Sequence, residues 1–107
     1  MYTLHMTYYE KYKGDYVFRD DIYVVSAKDM DELRRMIVRR YMKYPQWAPQ
    51  SPTVVVWKGE PDVGLHPKND AGSIGMMYMG ENRKTVIWLD HRAKMGYVVD
   101  KKTGELL

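Results

Sequence analysis

The stretch SAKDMDELRRMIVRRYMKY, residues 26–44, decides the fold. At about 100° per residue, Met30, Leu33, Ile37, Tyr41 and Tyr44 fall within an arc of about 80°, the stripe of an amphipathic helix lying on a core. Lys28, Glu32, Arg35, Arg39 and Lys43 fall on the opposite side. Arg34 and Arg40 flank the apolar arc, where their stems can lie along it. Two capping signals stand at the start: Ser26 precedes Asp29 by three residues, and Asp29 precedes Glu32 by three, as a capping box requires. Acids fill the first turn and bases the last, which complements the helix dipole. Pro45 closes the segment, because the residue before a proline disfavours α geometry.

Upstream, residues 2–9 alternate. Tyr2, Leu4, Met6 and Tyr8 share one face, and Thr3, His5, Thr7 and Tyr9 the other, as in a half-buried strand. Lys13, Gly14 and Asp15 signal a turn, and a second strand runs over residues 16–25 to complete an antiparallel hairpin. In that strand Asp20 sits in phase with Tyr16, Phe18, Ile22 and Val24. A charged carboxylate buried among them would be costly. The expectation is a bulge near residues 19–21 or a position at the sheet edge.

Downstream, Pro45, Pro49 and Pro52 stiffen PQWAPQSP, in which Trp47 reads as a lid over the helix end. The run TVVVWK, residues 53–58, is continuously apolar and therefore central in a sheet. Residues 59–73 form a loop unusually long for a compact domain. Strands at 74–80, 85–91 and 95–100 follow, separated by turns, and residues 105–107 add a last short pairing. The expected fold is one α+β domain over residues 1–107: a single antiparallel or mixed sheet of about five to six strands with one helix on one face, in the order β-β-α-β-β-β-β.

Composition narrows function by exclusion. With no cysteine, disulfides, thiolate catalysis and cysteine-based metal sites are ruled out. The amino-terminal residues lack the layout of a signal peptide, and no apolar run approaches the roughly 20 residues of a membrane span. The default is a soluble, cytoplasmic protein without a membrane partner. His5, His66 and His91 show no metal-ligand spacing, and the glycines match no phosphate- or dinucleotide-binding fingerprint. Ser73 lies outside a nucleophile elbow. Asp20 and Asp21 point to opposite faces of a strand and form no dyad. No catalytic residue, metal or cofactor is therefore expected.

Two contact surfaces remain. Net charge is +3, concentrated in residues 28–44 and 82–102. Lys28, Arg35, Arg39 and Lys43 on the helix, with Arg83 and Lys84 in a turn, are the candidate nucleic-acid contacts. Asp31 and Glu32 lie one helical turn before Arg35 and partly neutralise this stripe. Ten tyrosines, nine methionines and three tryptophans against one phenylalanine suit a contact surface as well as a core. The sheet face left uncovered by the helix is the leading candidate, with Tyr9, Tyr23, Trp57, Met77, Met79 and Trp88 as protein contacts. The primary expectation is a small non-catalytic binding protein of inhibitor, adaptor or phage and mobile-element accessory type. Nucleic-acid binding through the helix is the alternative, and a homodimer joined by an edge strand or the aromatic face is the third.

Overall fold

A computed structural model describes residues 1–44, 51–59, 72–80 and 85–107. The elements are β1 (Tyr2–Tyr12), β2 (Asp15–Val25), α1 (Met30–Tyr41), β3 (Thr53–Lys58), β4 (Gly75–Met79), β5 (Val86–Asp90) and β6 (Met95–Val99). The six strands form one antiparallel sheet in the order β2-β1-β3-β4-β5-β6. The class is α+β, in the element order read from the sequence. Among the described residues no helix is long and apolar enough to cross a membrane.

β1 and β2 join through a two-residue turn. Lys13 (φ 50°) and Gly14 (φ 86°) both take the left-handed conformation, the backbone that matches the twist of paired strands. The pairing runs unbroken from Tyr2 opposite Val25 to Tyr12 opposite Asp15. There is no bulge at residues 19–21. Instead β2 is a sheet edge, and Asp20 lies beside His5, with 3.1 Å between carboxylate and ring Nε2. β3 pairs with the other side of β1, so α1 carries the chain across β1 from one neighbour to the other.

Asp29 is the helix N-cap, its carboxylate accepting the backbone N–H of Glu32 at 2.8 Å. Of the two caps that the sequence offers, this one is used, so Lys28 lies before the helix and outside its charged stripe. The helix ends at Tyr41, and the amides of Met42, Lys43 and Tyr44 close the last carbonyls in a final turn. Pro45 and Trp47 lie outside the described residues.

Leu33, Ile37, Val38 and Tyr41 of α1 are buried against Leu4 and Met6, Val54 and Val56, Met77, Val86 and Trp88, and Val99. A fully buried leucine or methionine side chain contributes roughly 1.5–3 kcal/mol. These residues form one layer of apolar contact along the sheet. Tyr41 donates its buried hydroxyl to the carbonyl of Pro52 at 2.8 Å, which ties the helix end to the entry of β3. The same packing fixes the parity of every strand: what points at α1 is core, and what alternates with it points away.

Candidate functional site: the open face of the sheet

The strand pairings place the outward set in register. Tyr16, Phe18, Ile22 and Val24 of β2 lie opposite Lys11, Tyr9, His5 and Thr3 of β1. Val55 and Trp57 of β3 lead to Met76 and Tyr78 of β4, then to Ile87 and Leu89 of β5 and Val98 of β6. Among the described residues no helix or second sheet covers this side. Phe18 is 57% exposed, Tyr16 50% and Val24 44%. Six strands about 4.8 Å apart and roughly five residues long offer a footprint of about 400 Å², within the range of the largest apolar patch that a typical monomer exposes. Aromatic contacts organise it locally: Tyr9 and Phe18 meet edge to face at 5.5 Å, and the rings of His5 and Trp57 are 6.4 Å apart. Among the described residues, the charged groups that share it are Asp20 and Lys11, with His5 between strands.

The structure separates the six candidate protein contacts. Tyr9 and Trp57 stand on the open face. Tyr23, Met77, Met79 and Trp88 stand on the helix side, and Met77 and Trp88 are fully buried in the core. The cause is strand parity. Met77 pairs with Val54 and Trp88 with Met77, which puts both under α1, while Met76, Tyr78, Ile87 and Leu89 turn outward. The sequence is apolar on both faces of β4 and β5, so alternation alone left the direction open. The small residue Gly75, which makes room for Trp88, was the available signal.

On the helix side, Arg35 and Arg39 of the basic stripe and the flanking Arg34 and Arg40 make contacts within the chain. Arg35 pairs with Glu105 at 3.2 Å, and Arg34 pairs with Asp31. Arg39 donates from Nε to the carbonyl of Arg35 at 3.3 Å. The Arg40 guanidinium lies 4.8 Å over the Tyr23 ring. An open concavity of about 660 Å³ follows this face, with Glu32, Arg35, Met36, Arg39, Arg40 and Lys43 along it. Arg83 and Lys84, the other expected nucleic-acid contacts, lie outside the described residues.

Two polar clusters were not foreseen. Beyond the helix end, Tyr44 donates to Asp21 at 2.9 Å and shares a short hydrogen bond with Tyr23, while its ring packs on Tyr8 at 4.6 Å. Burial, then the hydrogen bonds to Tyr23 and Asp21, push the Tyr44 hydroxyl far above the usual phenol range. Burial and the Asp21 carboxylate raise Tyr8 in the same direction. At the opposite end, Ser73 Oγ lies 2.7 Å from His91 Nδ1. A serine activated by histidine needs an orienting group on the histidine. The neighbouring Asp90 carboxylate is instead turned into its own loop, accepting the amides of Arg92 and Ala93. Among the described residues no three His, Asp or Glu side chains converge as metal ligands.

No family model matches the chain, and no curated protein or solved structure matches it at a significant level.

Proposed function

We propose that this chain is a small non-catalytic binding protein that engages an apolar surface of another protein through the open face of its sheet. The observation that carries the reading is the mainly apolar outward set of the described strands, exposed at Tyr16, Phe18, Val24 and Val98 and half-buried at Trp57, Tyr78 and Leu89. Exposed apolar area of this extent is costly in water, and a partner that covers it recovers the hydrophobic free energy. Aromatic side chains give such a surface large contact area at small entropic cost, and methionine adapts its shape to a partner.

The same arrangement disfavours the nucleic-acid reading. Binding a single strand by stacking needs aromatics and phosphate-binding cations along one groove. Here the stacking candidates face one side of the sheet and the arginines of α1 the other, with the hydrophobic core between them. Arg34, Arg35 and Arg40 are moreover held by Asp31, Glu105 and Tyr23.

Capture from a lysate of the producing cell tests the reading. The native chain is expected to retain a protein that the Trp57→Lys/Leu89→Lys variant loses and the Arg35→Glu/Arg39→Glu variant keeps. Loss only in the arginine variant would overturn it.

A further inference from the structure

We infer that the β2 edge is a self-association surface: β2 pairs antiparallel with β2 of a second copy, centred on Asp20, to make one sheet of twelve strands. The first support is the contrast between the two edges. At the far edge β6 has five residues and is partly covered, because Val99 bridges Leu106 and the amide of Leu107 donates to the carbonyl of Val98 at 2.9 Å. At the near edge β2 has eleven residues, no proline and an unbroken register. Natural edge strands are usually short, bulged or covered, since a long flat edge templates pairing with another strand.

Backbone geometry gives the second support. In a hairpin with a two-residue turn, the residues flanking the turn form a hydrogen-bonded pair, and such pairs recur at every second position. Tyr12 and Asp15 flank this turn, so the odd-numbered residues of β2 bond to β1. The amides and carbonyls of Phe18, Ile22 and Val24 therefore point outward, where no described strand meets them.

Charge selects both the partner and the register. A two-fold axis perpendicular to the sheet keeps both open faces on one side and allows only registers that differ by two residues. Centred on Asp20, Arg19 of each copy faces Asp21 of the other, and Phe18 faces Ile22. Centred one residue either way, Arg19 would face Arg19, or Asp21 would face Asp21, and like charges directly opposite are destabilising. The one like-charge contact in the favoured register is Asp20 against its copy, where each carboxylate already has His5 at 3.1 Å. The run Arg19-Asp20-Asp21 thus discourages pairing with a neutral strand while complementing itself. This inference is independent of what the open face binds.

Sedimentation velocity and oxidative cross-linking test it. The native chain is expected to sediment at twice the 12.7 kDa chain mass. Phe18→Pro removes an outward amide without touching the bonds to β1 and is expected to weaken self-association about a hundredfold, as losing two backbone hydrogen bonds does. Phe18→Ala keeps the amide and the dimer, and Arg19→Asp is expected to be monomeric. The chain has no cysteine, so Asp20→Cys reports the register directly: across the axis the Cα atoms would lie about 5.5 Å apart, within disulfide reach. Asp20→Cys is expected to form a covalent dimer readily and Leu89→Cys not to. A native chain that stays monomeric at every concentration, a Phe18→Pro variant that stays dimeric, or failure of Asp20→Cys to cross-link would each overturn the inference.

Discussion

The indole of Trp88 lies across Gly75: a Cβ added to Gly75 would stand 2.5 Å from Trp88 Cη2 and 2.8 Å from the Leu89 carbonyl oxygen. Among the described residues Trp88 is the largest fully buried side chain, and this missing methyl is what lets it lie beneath α1. Neither the ring nor the backbone oxygen can retreat within a packed core. Gly75→Ala is therefore expected to cost about 1–3 kcal/mol, the range for overpacking. Urea denaturation checks it, with a lowered midpoint and an unchanged slope.

Gly104 plays the same part at the carboxyl end. Its φ is +80°, and an added Cβ would stand 2.7 Å from Arg35 Cα and 3.0 Å from Arg35 N. This close approach seats the turn after β6 on α1 and delivers Glu105 to Arg35. Gly104→Ala is expected to destabilise by more than about 1 kcal/mol, since both backbone strain and the collision oppose it. Glu105→Ala, which removes only a surface ion pair, is expected to cost less than about 1 kcal/mol. Thermal unfolding of the two variants ranks them.

Element order and the helix were legible because their signals are local. Leu33, Ile37 and Tyr41 repeat at helical spacing, and Tyr2, Leu4 and Met6 at strand spacing, whatever lies around them. The direction of β4 and β5 was not legible. Met76 and Met77 are equally apolar, as are Ile87 and Trp88, and the helix that decides between them is distant in sequence. Asp20 looked like a conflict only while its strand face was taken as buried; on the open face beside His5 it is ordinary. One partner of the helix stripe was not legible either, because Glu105 reaches Arg35 from 70 residues away.

The engagement of those arginines sets an expectation for nucleic acid. Fluorescence anisotropy with single- and double-stranded oligonucleotides at two salt concentrations is expected to give weak binding at most. What binding there is should vanish as salt rises, as for nonspecific phosphate contact. Saturable, salt-resistant binding abolished by Arg35→Glu/Arg39→Glu would restore the nucleic-acid reading.

Alkali should find the tyrosines. Burial holds the Tyr41 hydroxyl well above the usual phenol range, and Tyr44 shifts the same way. A group whose folded-state pKa is raised contributes stability that is full below its unfolded value, about 10, and is lost as pH climbs toward the folded one. The melting temperature is expected to fall steeply above about pH 10. In Tyr41→Phe it starts lower, having lost the bond to Pro52, and falls less steeply.

The open face as the working surface is the central claim, and site-specific photo-crosslinking in the producing cell tests it most directly. A benzophenone side chain placed at Tyr78 or Leu89 is expected to yield one discrete protein adduct. The same group at Arg39 or Lys43 is expected to yield none. Adducts from the helix positions alone, or adducts to nucleic acid, would contradict the account.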